Sequence, residues 1–122
     1  MQEVVISIGS NISPQENIPK ALKLLEDLLQ VAKVSEMVTT TPIGIKDQPD
    51  FINGALKGFT AHSRDELNHL LKALEDRMGR DRSRPKYGPR EIDLDIVVWG
   101  GEIVDMDYYS RAFLKTVVDQ VM

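Results

Sequence analysis

An α+β sandwich with the element order β-α-β-β-α-β is what this sequence predicts. Three observations carry that prediction. Two helix-start signatures, Ser13-Pro14-Gln15-Glu16 and Ser63-Arg64-Asp65-Glu66, each precede a stretch with apolar residues at helical spacing. β-prone runs flank both stretches, at residues 3–8, 32–41, 51–59 and 92–99. The connections between them are short apart from residues 42–50 and 79–90.

Taken in order, Glu3-Val-Val-Ile-Ser-Ile8 reads as a strand that ends at the turn Gly9-Ser10-Asn11. The first helix starts with Ser13 as N-cap, Pro14 at its first position and Glu16 completing a capping box. Ile18, Ala21, Leu22, Leu25, Leu28 and Leu29 form its apolar face. A Val- and Thr-rich segment from Ala32 to Thr41 is β-prone, and Pro42–Asp50 is a polar loop punctuated by two prolines and a glycine. Phe51–Phe59 is the next strand. The second helix carries Leu67, Leu70, Leu71, Leu74 and Met78 on one face, with Gly79 as its stop. After a basic loop comes the strand Ile92–Trp99, with Ile92, Leu94, Ile96 and Val98 expected in the core. Gly100-Gly101 turns the chain, and Tyr108–Met122 is a helical tail with Ala112, Leu114, Val117, Val118 and Val121 apolar. This order predicts one domain over residues 1–122: a ferredoxin-like fold with an antiparallel sheet and helices on one face.

Composition narrows the function. The chain has no cysteine, so disulfides and thiolate metal sites are excluded and a cytoplasmic setting fits. No apolar run approaches membrane-spanning length, and the N-terminus lacks a signal-peptide pattern. The net charge of −4 argues against nucleic acid as a partner. The charge is uneven, however. Residues 77–90 hold six cations against Asp81 alone, a local +5 that leaves −9 for the rest. Such a cluster suits a small anionic ligand; a solvated helix end is the other reading.

The chemistry concentrates in Arg90-Glu-Ile-Asp93-Leu-Asp95-Ile-Val. Side chains two residues apart on a strand share a face, roughly 6–7 Å apart along it. Asp93 and Asp95 either face water as ordinary polar positions or hold a divalent cation that cancels their mutual repulsion. Carboxylate oxygens suit magnesium, which commonly shares its shell with substrate phosphates, and the nearby arginines suit the same phosphates.

Gly88-Pro89-Arg90-Glu91-Ile92-Asp93-Leu94-Asp95-Ile96-Val97 closely resembles the signature of the 6-hydroxymethyl-7,8-dihydropterin pyrophosphokinase family of folate biosynthesis. Ile8-Gly9-Ser10-Asn11, Thr40-Thr41-Pro42-Ile43-Gly44, Asp47–Asn53, Glu75 and Gly79-Arg80 extend the resemblance over roughly residues 3–104. It implies a ferredoxin-like fold and an ATP-dependent transfer of pyrophosphate to the pterin's hydroxymethyl oxygen, with AMP leaving. It implies two magnesium ions at Asp93 and Asp95, and Arg80 and Arg90 as catalytic arginines. Glu75, Arg82, Lys86, Tyr87, Ile96 and Arg111 would bind ATP; Thr40, Pro42, Ile43, Phe51, Asn53 and Phe113 would bind the pterin. The partners implied are these small molecules, with neither nucleic acid nor membrane. The family's Pro-His segment after the Asp-x-Asp strand is absent, and the final elements are shortened. That departure predicts weaker ATP binding and leaves a second reading open, a catalytically impaired paralogue that retains the pterin or nucleotide pocket.

Overall fold

The structure is a computed structural model that describes residues 1–122. Its strands are β1 (Gln2–Ser10), β2 (Gln30–Val34), β3 (Val38–Thr40), β4 (Phe51–Thr60), β5 (Asp93–Trp99) and β6 (Glu102–Ile103). Its helices are α1 (Pro14–Leu25), α2 (Arg64–Arg77), α3 (Asp107–Ser110) and α4 (Ala112–Val121). The strands form one antiparallel sheet in the order β2-β4-β1-β5-β6, and β3 continues the edge by pairing with β4 beyond β2. This is the ferredoxin-like order, with the expected second strand split into β2 and β3.

The two crossover helices share one face, as expected. Val4, Ile6, Ile8, Leu56 and Leu94 point into a core closed by Ile18, Ala21 and Leu25 of α1 and Leu67, Leu71 and Leu74 of α2. The tail helix does more than its sequence pattern suggested. Leu114, Val117, Val118 and Val121 of α4 pack on the opposite face against Val5, Ala55, Val97 and Val98. Both sheet faces are therefore apolar along much of their length. On the second face, α4 covers only part of the sheet, and the rest remains open.

A bulge in β5 explains one departure from the expected core. Val5 pairs with Val98 but Ile6 pairs with Ile96, so Val97 is an extra residue. An extra residue interrupts the two-residue alternation. Ile96 and Trp99 consequently face the α1–α2 core, while Val97 and Val98 both face α4. The expectation that Val98 shares a core with Leu94 and Ile96 is corrected accordingly.

The helix starts also differ. At α2 the capping box forms: Ser63 Oγ accepts from the Glu66 N–H at 3.2 Å, and the Ser63 N–H donates to Glu66 Oε1 at 3.1 Å. At α1 it does not. Ser13 sits in the left-handed region (φ 43°) and its side chain caps nothing. The approach to α1 is committed elsewhere, because the Asn11 and Ile12 N–H groups both donate to the Arg90 carbonyl. That tie to the basic loop sets the chain direction into α1 and takes Ser13 out of the extended conformation that a capping side chain needs.

Candidate active site

The uncovered end of the second sheet face carries the site. Register places Asn53 of β4, Gly9 of β1 and Asp93 of β5 in one row across three strands, with Ser7 and Asp95 two residues further along. At the usual strand spacing, Asn53 and Asp93 stand about 10 Å apart. Nothing projects between them, because the middle position is glycine. A Cβ on Gly9 would stand 2.9 Å from Asn53 Oδ1. Asn53 is itself fixed, its Nδ2 donating to Thr40 Oγ1 at 2.6 Å. Gly9→Ala is therefore expected to push the Asn53 carboxamide aside. The fold should survive and the KM for a ligand held by Asn53 should rise about tenfold, the worth of one misplaced hydrogen bond. Steady-state kinetics beside a melting curve would measure both.

A cleft of about 110 Å³ opens above this row, lined among others by Thr40, Ile43, Phe51, Asn53, Lys86, Tyr87, Arg90, Asp93, Arg111 and Phe113. An adjoining hollow shares Phe51, Asn53, Asp93, Arg111 and Phe113 and adds Asp95, Asp105 and Asp107. Phe51 comes from the start of β4 and Phe113 from the first turn of α4, so two rings from distant parts of the chain reach one cleft. A third depression, open and about 400 Å³, lies at the outer edge of β5 and is lined by Ile96, Arg64, Asn68, Asp95, Asp105 and Met106.

Beneath Asp93 lies a charged network. Gly79 (φ 106°) ends α2 in a Schellman motif, with the Gly79 N–H donating to the Asp76 carbonyl and the Arg80 N–H to the Glu75 carbonyl. That turn folds Arg80 back over the helix end. Its Nη1 donates to Glu75 Oε1 at 3.2 Å and lies 3.7 Å from Asp93 Oδ1, while its buried Nε has no partner. Glu75 is fully buried, and its Oε2 accepts from the Leu94 N–H at 2.8 Å and from Lys72 Nζ at 3.1 Å. Lys72 also donates to Asp95 Oδ1 at 3.1 Å and to the Leu94 carbonyl at 2.8 Å. Burial pulls Lys72 down, but Asp95 and Glu75 outweigh it and hold its ammonium above the usual lysine value.

The two strand aspartates fit a divalent cation. Burial first, then the charges of Asp95 and Glu75, push Asp93 up to about 6 even though 44% of its side-chain surface reaches solvent. A hard cation would offset both the burial cost and the carboxylate repulsion at that point. No group of three or more carboxylates or histidines converges in ligating geometry, so a cation here would need further ligands from outside the protein. The metal-free protein should carry a measurable trace of that cost. A folded-state value above the ordinary 3.8 means that the folded chain holds more protons between about pH 4 and 6. Stability then falls as pH rises through that window. In chelator, Asp93→Asn should melt higher than the unaltered chain above pH 6, with the gain vanishing near pH 4; thermal melts across pH check it.

Arg90 is 7% exposed and is held by its own loop. Its guanidinium donates to the carbonyls of Pro85, Lys86, Gly88 and Pro89, and its backbone N–H donates to Asn11 Oδ1 at 2.9 Å. Burial and then the Arg80 charge draw it below the ordinary arginine value. Arg80, Arg84 and Arg90 thus crowd positive charge around the loop. Asn11 and Gln48 tie this loop to the 42–50 loop. Asn11 Nδ2 donates to Gln48 Oε1 at 2.8 Å, and Gln48 Nε2 donates to the Tyr87 carbonyl at 2.7 Å.

The structure therefore brings together most of the residues singled out in the sequence, and sets some apart. Pro42 is buried, and its carbonyl accepts from Lys46 Nζ. Arg82 points outward to Asp76 at 3.0 Å. Glu75 lies under the site, and Ile96 lines the outer edge. Sequence reasoning missed Lys72, Asp105, Asp107 and the joint role of Asn11 and Gln48. The i, i+3 spacing of Lys72 and Glu75 on a helix was a readable signal for the first. The others depend on contacts between distant segments.

The family model for 7,8-dihydro-6-hydroxymethylpterin-pyrophosphokinase matches residues 5–122. Over 101 residues the chain is 41% identical to a folate synthesis bifunctional protein of Arabidopsis thaliana, covering 81% of this chain and 21% of that protein. It is 35% identical to the 2-amino-4-hydroxy-6-hydroxymethyldihydropteridine pyrophosphokinase of Aquifex aeolicus, covering 85% and 65%. With the protein of the same name from Haemophilus influenzae the identity is 36%, covering 89% and 74%. The chain thus spans from a fifth to three quarters of the length of these relatives.

Proposed function

The chain belongs to the 7,8-dihydro-6-hydroxymethylpterin-pyrophosphokinase family, and we propose that it transfers pyrophosphate from ATP to 6-hydroxymethyl-7,8-dihydropterin. The observation that carries this reading is the row Asn53–Gly9–Asp93, which sets an aromatic cleft directly beside a carboxylate pair and a cluster of arginines. No helix is long and apolar enough to cross a membrane, and a cysteine-free chain suits the cytoplasm.

On this reading the pterin lies in the cleft with Phe51 and Phe113 against its ring. Asn53 offers a donor and an acceptor to its amide-like edge. Asp93 and Asp95 hold magnesium, which neutralises charge on the triphosphate when bound. Arg80 and Arg90 supply fixed positive charge beside the transferring group, and Lys86, Tyr87 and Arg111 border the same space. The hydroxymethyl oxygen bonds to the β-phosphorus, the bond from that phosphorus to the α-phosphate oxygen breaks, and AMP leaves with its electron pair. The hydroxyl proton passes to water. Little covalent help is needed for such a transfer; alignment and charge neutralisation carry it.

The test is AMP release from ATP, magnesium and the pterin. AMP formation that requires the pterin supports the reading. Folded protein that forms no AMP above the protein-free rate overturns it.

A further inference from the structure

Lys72 occupies a place that the reaction as outlined does not explain. Its ammonium has three donors and three acceptors: Asp95 Oδ1, Glu75 Oε2 and the Leu94 carbonyl. It reaches them from α2 because the β5 edge is free there, β6 pairing only with Val98 and Trp99. The side chain is one-third exposed, and the Asp95 that it holds also lines the depression shared with Asn68 and Ile96. One of the two carboxylates assigned to the metal thus already holds a cation.

We propose that Lys72 is the internal counter-cation of Asp95, displaced when a divalent cation arrives and then paired with the phosphate that arrives with it. The inference rests on the reading of Asp93 and Asp95 as metal carboxylates. An ammonium at hydrogen-bond distance from Asp95 repels a divalent ion placed on the same carboxylate, so the free protein takes metal poorly. Nucleotide removes that obstacle by offering phosphate oxygens to the freed ammonium. Lysine suits the exchange, being a compact charge on a flexible stem, whereas a guanidinium favours a fixed two-point contact. Because linkage is reciprocal, metal and nucleotide then raise each other's affinity by one common factor. The carboxylates select a metal–nucleotide complex over the bare ion.

The experiment is a titration of Mn²⁺, followed by the electron paramagnetic resonance of the free ion, with and without a non-hydrolysable ATP analogue. It compares the unaltered chain with Lys72→Gln and Lys72→Arg. Glutamine keeps hydrogen-bond donors for Glu75 and the Leu94 carbonyl but carries no charge. Lys72→Gln should bind Mn²⁺ alone about tenfold more tightly and Mn²⁺ with the analogue about tenfold more weakly, the size of one close charge pair's coupling. Lys72→Arg should retain part of the linkage. Unchanged or weaker binding of Mn²⁺ alone by Lys72→Gln overturns the inference. A second measurement needs no variant. The Lys72 Nζ resonance of the unaltered chain should move when Mg²⁺ and the analogue are added together, and its failure to move overturns the inference as well. If the unaltered chain binds no Mn²⁺ even with the analogue, the metal-site reading itself falls. Normal linkage that Lys72→Gln leaves intact removes the Lys72 inference alone.

Discussion

Asp95→Ala should lower turnover about a thousandfold and leave the fold in place. Asp95 is 45% exposed at the β5 edge. Removing it leaves Lys72 with Glu75 and the Leu94 carbonyl, so no buried group is orphaned. The melting temperature should therefore stay within about 2 °C of that of the unaltered chain. Turnover responds differently. On the proposed reading, Asp95 is one of only two protein carboxylates that hold the metal against the triphosphate. Losing one preorganised charge partner at a transition state costs about 10²–10³ in rate, and displacement of the metal adds to that. AMP formation measured beside a thermal melt separates the two effects. A variant that turns over within about tenfold of the parent would remove Asp95 from the metal site.

Glu75→Ala should act in the opposite place, on the fold first. Glu75 is fully buried and joins Arg80, Lys72 and the Leu94 N–H around one carboxylate. Alanine would leave the Leu94 N–H and the Arg80 guanidinium without their buried acceptor and take one of three acceptors from Lys72. Breaking a buried charge network by removing one partner costs about 3–5 kcal/mol, a large share of the stability of a domain this size. Urea unfolding should show that loss in the midpoint. Glu75→Gln should fall between, because its amide oxygen accepts from one partner while its NH2 group cannot. The variant pair also tests what Glu75 does. It lines neither the cleft nor the two hollows beside it, and it sets Arg80 under Asp93 and Lys72 beside Asp95, an arrangement that suits a positioning residue for both strand carboxylates.

These effects show which parts of the chain were legible before folding. The α2 capping box, the Gly79 stop and the shared face of Asp93 and Asp95 depend on neighbours a few residues away, and local chemistry decided them. The β-α-β-β-α-β order followed from the same kind of signal. Ser13 failed as a cap because Asn11 and Ile12 answer to the Arg90 carbonyl, nearly eighty residues away. The Val97 bulge has no local mark, since Ile96, Val97 and Val98 are all apolar and suit either core. The covering of the second sheet face by α4 was hidden for a similar reason. Its apolar spacing is read from one helix, but the face that receives it is assembled from β1, β4 and β5. At the site, Asp93, Asp95, Asn53 and Phe51 stood out through a resemblance as well as through chemistry. Gly9 gains its meaning only from the row in which it leaves a gap between Asn53 and Asp93.

Phosphorus NMR of the reaction mixture reads directly which phosphorus the pterin oxygen attacks. With ATP, magnesium and 6-hydroxymethyl-7,8-dihydropterin, the α-phosphate signal of ATP should be replaced by that of AMP while two coupled phosphorus signals appear on the pterin. ADP with a single pterin phosphate, or a spectrum that stays that of ATP in the presence of folded protein, would contradict pyrophosphoryl transfer.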